Sequence, residues 1–322
     1  SAFDKEINFE FIAESEMGNT FTLYEDRPHG HDAWEVDITY EEMSLENAKS
    51  KDWSSFGNGP VRQGINFKLK IGESSIEQRV TLNHKTRTLE FKTTVDWNEC
   101  HKMLRTAFPV NIRCDSATFG IQYGYVKRPT HRNTSWDVAR FEVPAQKYVD
   151  LSDNNRGVAI LNDSKYGHKI HENIMDLNLL RSPTYPDADA DLGIHEFSYC
   201  FMPHKKDFIH SEVIQSALEF NQPPMIFVGK SAKGINPPLR VKDSSIGLEV
   251  VKRAEKEKCW VVRLVERYGL SNQIEVELHE SNTKLQETDL MEWNDDERSL
   301  NTPILLDFKP FEIRTFKIKT LT

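Results

Sequence analysis

Residues able to do chemistry are concentrated in one stretch of the chain, 119–143, which reads FGIQYGYVKRPTHRNTSWDVARFEV. Apolar alternation at its two ends predicts two β-strands, and the Pro, Asn and Ser/Thr residues between them predict a long connection. That connection carries cations, an imidazole, an amide, an indole and a carboxylate: Lys127, Arg128, His131, Arg132, Asn133, Trp136 and Asp137. Such a loop is typical of a rim that presents polar groups to a ligand. The alternative is that these groups bond one another and fasten the loop.

Two other places put polar side chains directly after an apolar strand. Asn162 and Asp163 follow the predicted strand Val158–Leu161, and Arg181 follows an apolar run that ends at Leu180. A guanidinium fixed at such a position can bind a carboxylate or sugar hydroxyl groups. Both places have a structural alternative, since Asn and Asp bond their own backbone in turns and Arg181 would serve equally well in an ion pair.

The acidic run Asp187-Ala-Asp189-Ala-Asp191 begins like a calcium-binding loop. An EF-hand loop needs Gly at its sixth position and Glu at its twelfth. Leu192 and Ser198 stand at those positions. We therefore expect a solvated acidic loop and no metal ligands.

Composition argues against several classes of function. The net charge of −9 argues against nucleic acid or an anionic membrane as a partner. The chain has no apolar run near the roughly 20 residues that span a bilayer, and we find no signal peptide. Its four cysteines lie far apart in the sequence, as is typical of a reducing compartment. We therefore expect a cytoplasmic protein.

Alternating apolar residues recur along the whole chain and predict an all-β protein. Segments 65–70, 75–82 and 87–97 predict three adjacent strands in a meander. Helical periodicity is scarce, and only residues 40–48 and 284–293 are predicted to hold a turn or two of helix.

The domain boundaries are predicted from two Pro-Pro steps, at Pro223-Pro224 and Pro237-Pro238. Such steps are typical of an extended connection between modules. We predict a large β-domain over residues 1–222, a linker over 223–238 and a small β-sandwich over 239–322.

Three long blocks of the sequence resemble a known family: QYGYVKRPTHRNTSWDVARFEVPAQKYVDLSD, GVAILNDSKYGHKI and LNLLRSPTYPDADADLGIHEFSYCFMPH. They are similar to the C-terminal region of glycoside hydrolase family 38 α-mannosidases, above all the cytosolic, bacterial and vacuolar branch. The segments LYEDRPHGHDAWEVDI and SSIGLEVVKRAEKEKCWVVRLVE fit the same region. The resemblance covers nearly the whole chain, in order. It implies a galactose-mutarotase-like β super-sandwich followed by a small β-sandwich.

The resemblance also implies retaining hydrolysis of terminal α-D-mannosides by the parent enzyme. In the family an N-terminal barrel supplies the aspartate nucleophile, the acid/base aspartate and the ligands of zinc or another divalent metal. A barrel needs about 250 residues of alternating strand and helix, a pattern this sequence lacks. We therefore expect no catalytic residue and no metal ligand here. The expected partners are that barrel and α-mannoside glycans, and a homo-oligomer is also compatible with the sequence.

Within the family an arginine from the β super-sandwich approaches the sugar, and its position after a core strand maps that role onto Arg181. The matching segments supply the other residues predicted to bind substrate: Arg128, His131, Asn133, Trp136, Asp137, Asn162 and Asp163.

Two alternatives come from other classes. A stand-alone carbohydrate-binding module would need exposed stacking platforms, for which the candidates are Trp34, Trp53 and Trp136. A mutarotase-type enzyme would need a His acid and a carboxylate base facing one sugar, for which the candidate pairs are His131 with Asp137 and His195 with Glu196.

Overall fold

The strands follow the period-2 pattern of the sequence, because alternate side chains point to opposite faces of a strand. In the strand Ser74–Asn83, Ile76 and Gln78 are buried, whereas Glu77 and Arg79 are exposed. The computed structural model describes residues 1–57, 59–229, 236–300 and 303–320. These residues fall into two units. The first comprises Ser1–Ile121 and Val126–Pro224, and the second Gln122–Tyr125 and Met225–Thr322.

The first unit is built almost entirely of strands. They are β1 (Phe3–Asp4), β2 (Phe9–Glu10), β3 (Thr20–Glu25), β4 (Ser44–Asn47), β5 (Lys49–Phe56), β6 (Arg62–Ile71), β7 (Ser74–Asn83), β8 (Leu89–Trp97), β9 (Lys102–Pro109), β10 (Ser116–Ile121), β11 (Gly124–Pro129), β12 (Val143–Pro144), β13 (Tyr148–Ser152), β14 (Arg156–Asn162), β15 (Gly167–His171), β16 (Ile174–Arg181) and β17 (Gly193–Lys205). Two short α-helices, α1 (Ser135–Val138) and α2 (Val213–Asn221), and two 3-10 turns, Ile38–Glu42 and Phe208–His210, complete it.

Two sheets form the sandwich of this unit. One has nine strands in the order β11-β10-β13-β14-β17-β8-β7-β6-β5, and the other has six in the order β12-β15-β16-β9-β3-β4. Their facing sides enclose one apolar core that includes Trp97, Leu104, Phe108 and Phe201. Helix α2 packs outside the nine-stranded sheet, against β13 and β14.

The second unit is a smaller sandwich with its own core. Its strands are β18 (Leu239–Val241), β19 (Ile246–Arg253), β20 (Trp260–Glu266), β21 (Asn272–Leu278), β22 (Thr283–Thr288), β23 (Asp295–Leu300), β24 (Ile304–Phe308) and β25 (Ile313–Thr320). They form a sheet β18-β21-β24 and a sheet β19-β20-β25-β22-β23. Val262, Leu264, Ile274 and Phe316 lie in the core between them. The predicted all-β class, a large sandwich followed by a small one, is confirmed.

The predicted meander is also confirmed, as the antiparallel neighbours β6, β7 and β8. Other local predictions are wrong. The strand predicted from the alternation of Ile121 to Val126 is interrupted, because Tyr123 adopts a φ of 56° and turns the chain between β10 and β11. Residues 138–143 are not a strand, because helix α1 ends at Val138 and turns follow until β12 begins at Val143.

Two further local predictions fail for a different reason. Residues 284–293 were predicted to hold helical turns, yet they begin within β22, which pairs with β25. Pairing with a strand distant in the sequence overrides the weak local preference. The predicted helical turn over 40–48 is only the end of the 3-10 turn Ile38–Glu42, and β4 follows it. Part of the predicted linker, residues 230–235, lies outside the described residues.

Candidate functional site

Arg181 lies at the end of β16 and fastens the loop that follows β3. Its Nε donates to the Asp26 carboxylate at 2.6 Å, and its Nη2 donates to the carbonyl oxygens of Asp32 at 3.2 Å and Glu35 at 2.6 Å. Asp26 is only 3% exposed. The ion-pair alternative is therefore what the contacts show, and the approach of Arg181 to a sugar stays a prediction.

Asp32 ties the same loop to two other connections. Its Oδ2 accepts hydrogen bonds from the backbone N–H of Thr184 at 2.7 Å and of Tyr185 at 3.2 Å, and His101 Nδ1 lies 3.6 Å from Oδ1. Burial opposes ionisation, but these hydrogen bonds and the charge of His101 outweigh it and hold the pKa of Asp32 below its usual value. We call this set (Asp26, Asp32, His101, Arg181 and Thr184) the Arg181 junction.

Exposed aromatic rings flank the Arg181 junction. Trp34 is 66% exposed and Tyr185 is 67% exposed. The imidazole of His31 lies edge-on to the Trp34 ring, with the ring centroids 6.0 Å apart. His31 also forms an exposed ion pair with Glu35. The surface beside the Arg181 junction therefore presents flat apolar rings together with polar groups.

The loop predicted as a ligand rim is fastened by side-chain contacts to the turn Ile38–Glu42 and by contacts within the loop. Arg132 donates two hydrogen bonds of 2.7 Å to Glu41, and Asp137 caps helix α1 through Thr134. His131 Nδ1 lies 3.6 Å from the Asp137 carboxylate. Trp136 is 75% exposed. Thus only part of this loop faces solvent.

Among the predicted residues of this loop, Asn133 is exposed and Arg128 is half-buried, with its guanidinium carbon 4.7 Å from the centre of the Phe119 ring. Within the described residues, no hydrogen bond or ion pair joins the loop to Arg181. The structure therefore brings His131 and Asp137 together, but leaves Arg181 in a separate cluster.

Asn162 and Asp163 act mainly on their own turn. Asn162 is 1% exposed, accepts a hydrogen bond from the Lys165 N–H at 2.9 Å, and lies 3.5 Å from the ring of His168. Asp163 is exposed and accepts a hydrogen bond from the Ser198 N–H at 2.9 Å. Contact with a ligand is therefore open to Asp163, whereas Asn162 would act through its neighbours.

A fully buried arginine of the first unit is absent from the residues predicted from the sequence. Arg105 of β9 is 1% exposed on the outer face of the six-stranded sheet, beneath the turn Ile38–Glu42. It pairs with Asp176 at 2.6 Å and Glu142 at 2.9 Å, and lies over the ring of Tyr40 at 5.2 Å. A sequence signal existed, since Arg105 interrupts an apolar strand in which residues of both faces are buried.

The pKa shifts of Glu142 and Arg105 show that the two buried carboxyl groups, Asp176 and Glu142, depend on the charge of Arg105. Burial and the charge of Asp176 raise the pKa of Glu142, although Arg105 opposes the shift. Burial would lower the pKa of Arg105, but the charges of Asp176 and Glu142 raise it. Arg105 is therefore a fixed cation that pairs with two buried carboxyl groups, and Lys169 adds a second positive charge 3.8 Å from Asp176.

Neither pair considered for a mutarotase is arranged for that chemistry. Asp137 is committed to the cap of helix α1 through Thr134. His195 and Glu196 are consecutive residues of β17, so their side chains point to opposite faces of the sheet and cannot face one sugar.

Within the described ranges, His, Cys, Asp and Glu side chains form no group of three or more that is placed to hold a metal ion. The residues present therefore do not fit a zinc site. Among the described helices, none is long and apolar enough to cross a membrane.

Both units match models of known domains. Residues 1–189 match the model described as the glycosyl hydrolases family 38 C-terminal domain. Residues 245–316 match the model described as the glycosyl hydrolases family 38 C-terminal beta sandwich domain.

Several curated proteins are similar along most of the chain. Alpha-mannosidase 2C1 of Mus musculus is 37% identical over 321 residues, which cover 95% of this chain and 30% of the relative. Alpha-mannosidase 2C1 of Homo sapiens is 38% identical over 94% of this chain and 30% of its own length. An alpha-mannosidase of Saccharomyces cerevisiae is 40% identical over 63% of this chain and 19% of its own length. This chain thus spans about 30% of the length of the mouse and human relatives.

A solved structure supports the fold. A protein in the glycosyl hydrolase family 38 from Enterococcus faecalis superposes with a TM-score of 0.80 over 98% of this chain and 41% of its own. The two are 19% identical in sequence, so the likeness concerns the fold alone.

Proposed function

Because this chain belongs to glycosyl hydrolase family 38 through that family's C-terminal domains, we propose that it forms the β-rich part of an α-mannosidase. The parent enzyme would hydrolyse terminal α-D-mannosides and serve mannose metabolism. The observation that carries this proposal is the sequence identity of 37% and 38% to two alpha-mannosidases over nearly the whole chain.

In this proposal the chain supports the sugar site and does not perform the bond cleavage. The nucleophile, the acid/base carboxyl group and the zinc ligands would belong to a catalytic barrel in the parent protein. Arg181 would act on the sugar site through the loop it holds. Arg128, His131, Asn133, Trp136, Asp137 and Asp163 would lie towards the substrate, with Asn162 behind them.

An apolar groove supports the proposal that another part of the same protein docks against this chain. Two adjoining cavities of about 480 and 440 Å³ share Ile65, Val80 and Leu89 as lining residues. Ile65 is 38% exposed and Leu82, beside it, is 45% exposed. β5 forms the adjacent edge of the nine-stranded sheet and is exposed along most of its length.

Long exposed edges and apolar patches are usually covered by another chain segment. The relatives are more than three times as long as this chain, and the matching model is named as a C-terminal domain. We infer that the preceding polypeptide of the parent enzyme, the catalytic barrel, covers the groove. Backbone amides of β5 should then exchange slowly in the parent enzyme and rapidly in this chain; equal rates would exclude this face as the docking surface.

We also infer that the protein works in the cytoplasm. All four cysteines are free, and burial raises the pKa of Cys200, which keeps that thiol unreactive.

The proposed function is tested with a chromogenic α-mannoside, with and without zinc or cobalt. This chain alone should be inactive, and the parent enzyme that contains it should be active. Hydrolysis by this chain alone would place a catalytic pair within these residues and overturn the division of labour. A parent enzyme inactive on α-mannosides would overturn the assignment.

A second candidate, a carbohydrate-binding module, is favoured by one observation. Trp34, Trp53 and Trp136 are 66%, 65% and 75% exposed, as stacking platforms must be. Titration of this chain with mannose oligomers, followed by calorimetry and tryptophan fluorescence, tests it. A change in both signals supports independent binding, whereas no heat and no fluorescence change exclude it.

A further inference from the structure

We propose that Trp34 and Tyr185 form a stacking subsite for the sugar unit next to the terminal mannose, which is the leaving group of the proposed reaction. This inference rests on the proposed α-mannosidase function and deepens it, because it assigns recognition of the leaving group to this chain. It is carried by the way in which the Arg181 junction fixes two exposed aromatic residues.

Trp34 lies in a short turn that Arg181 clamps at two points. The Arg181 Nη2 donates to the carbonyl oxygen of Asp32 at 3.2 Å and to that of Glu35 at 2.6 Å. These two residues stand on either side of Trp34 in the chain. Within the turn, the backbone N–H groups of Trp34 and Glu35 both donate to the His31 carbonyl oxygen, at 3.1 and 3.0 Å. The backbone that carries the indole is therefore fixed by a guanidinium whose own partner is a buried carboxylate.

The outer side of the same turn is fixed by Glu35. Its carboxylate accepts a hydrogen bond from the backbone N–H of His31 at 3.2 Å and lies 3.0 Å from the His31 Nδ1. A Cβ atom at Gly30 would lie only 2.3 Å from this carboxylate, so a glycine is needed where the side chain folds back. The turn is thus fastened on both sides, while the Trp34 ring stays exposed.

Tyr185 is fixed by the same junction. The Asp32 Oδ2 accepts hydrogen bonds from the backbone N–H of Thr184 at 2.7 Å and of Tyr185 at 3.2 Å. Asp32 therefore serves both segments, since its carbonyl oxygen accepts from Arg181 and its carboxylate accepts from the backbone of Tyr185. Because Trp34 is only two residues from Asp32, the two rings belong to neighbouring parts of one surface.

Both aromatic residues keep their rings and their polar ends available. Trp34 is 66% exposed and Tyr185 is 67% exposed. Among the described residues, no hydrogen bond reaches the Trp34 indole N–H or the Tyr185 hydroxyl. A sugar unit has an apolar C–H face and a rim of hydroxyl groups, and an aromatic ring with a polar end can contact both. The pair is therefore suited to a pyranose ring.

The charged groups beside the rings favour a neutral sugar over an anion. Glu35 follows Trp34 directly in the chain, Asp187 follows Tyr185 by two residues, and both acids are exposed. A carboxylate only accepts hydrogen bonds, and the hydroxyl groups of a sugar can donate them. An anionic ligand would instead be repelled by both acids.

The test compares two substrates of the parent enzyme that share the terminal mannose and differ in the leaving group. In α-D-mannosyl fluoride the leaving group is fluoride, whereas in a mannobiose it is a second sugar; the mannobiose isomer that the enzyme cleaves fastest is used. The quantity measured is the disaccharide preference, which is the kcat/KM for mannobiose divided by the kcat/KM for mannosyl fluoride. The variants are Trp34→Ala, Trp34→Phe and Tyr185→Ala. The control is Trp293→Ala, which removes a 62% exposed indole of the second unit.

Trp34→Ala and Tyr185→Ala should each lower the disaccharide preference by about fivefold or more, because only mannobiose loses a stacking contact. Trp34→Phe should retain most of the preference, since a flat ring remains. Trp293→Ala should keep the preference of the unmodified enzyme. Should Trp34→Ala fail to fold, as judged by circular dichroism, Tyr185→Ala decides the matter.

The proposal is overturned if a folded Trp34→Ala or Tyr185→Ala enzyme keeps the disaccharide preference. A variant that slows both substrates by the same factor counts against it too, because the ring would then act on the fold or on contact with the barrel. In either case the unmodified parent enzyme is still active, so the α-mannosidase assignment stands. An unmodified parent enzyme that cleaves neither substrate would overturn that assignment and this inference with it.

Discussion

At the scale of single residues, the arginines of the first unit act through partners that are distant in the sequence. Arg105 meets Asp176, Arg132 meets Glu41, and Arg181 meets Asp26. Each ion pair joins two connections or strands that are far apart in the sequence. Their contribution depends on burial, because a buried carboxylate that loses its partner is far more costly than an exposed one.

Arg181→Ala should destabilise the first unit by about 2–4 kcal/mol, because it leaves the buried Asp26 carboxylate unpaired and releases the loop it holds. Urea unfolding measures this change. The control is Arg27→Ala, whose ion pair with Glu25 is exposed and should contribute less than about 1 kcal/mol. Equal losses of unfolding free energy in both variants would mean that the buried Arg181–Asp26 pair stabilises the fold no more than the exposed pair of Arg27 and Glu25. In the parent enzyme, turnover should fall with the loosened loop.

His168 should make stability depend on pH. Burial, together with the charge of Arg105, lowers the pKa of His168 to about 3. The unfolded chain, with a pKa near ~6.5, therefore binds one more proton between these values. Stability is fully present above pH ~6.5 and decreases by roughly 1.4 kcal/mol per unit as the pH falls towards 3.

His168→Gln should remove this part of the slope in urea unfolding between pH 6 and pH 4. The control His84→Gln replaces an exposed imidazole that makes no ion pair among the described residues, and it should keep the slope. The carboxyl groups contribute equally to both variants. Parallel pH profiles for the two would contradict the buried, neutral state of His168.

At the scale of elements, two connections are fixed on the outer face of the six-stranded sheet. The turn Ile38–Glu42 is held by Arg132 and by Lys169, which lies 3.1 Å from Glu41. The loop before β12 is held by the pair between Glu142 and Arg105. A short helix, α1, lies in that loop because its capping box supplies partners for backbone groups that would otherwise be unpaired. Arg132 and Asp137 therefore have a structural role in fastening this loop.

Arg105→Leu should destabilise the first unit by about 3–5 kcal/mol, because it removes the ion-pair partner of the buried Glu142 and leaves the buried Asp176 with Lys169, 3.8 Å away, as its remaining cation. Urea unfolding and amide exchange in residues 38–42 and 130–144 measure the effect. The matched variant replaces Arg105, Asp176 and Glu142 by Leu together, and should lose much less stability than the single change. A triple variant that loses more would show that the charges are favourable in themselves.

At the scale of the whole molecule, each unit has its own two-sheet core. Leu104 lies in the core of the first unit and Phe316 in that of the second. A chain with separate cores does not have to unfold in one step.

Calorimetry should therefore resolve two unfolding transitions. Leu104→Ala should lower the midpoint of one and Phe316→Ala the midpoint of the other, since a large apolar side chain removed from a core costs about 3–5 kcal/mol. A single transition shifted by both variants would show that the units unfold together.

Period-2 alternation, a local property, was enough to predict the all-β class and the meander β6–β8, and the Pro-Pro steps added the division into a large and a small β-domain. Alternation requires only that one face of each strand meets a core. Three blocks of sequence were also enough to identify the family. A sequence match depends only on the order of the residues and not on their contacts in the fold.

The tertiary structure alone decided the partners of the charged residues. Arg181 was singled out in the sequence, but its commitment to Asp26 depends on β3 and β16 both lying beside β9 in one sheet. Arg105 was missed, because a lone arginine in an apolar strand has no visible partner until β9 pairs with β16 and brings Asp176 beside it. Ion pairs are made across the fold, between residues that neither spacing nor periodicity relates, so their geometry exists only once the strands are paired.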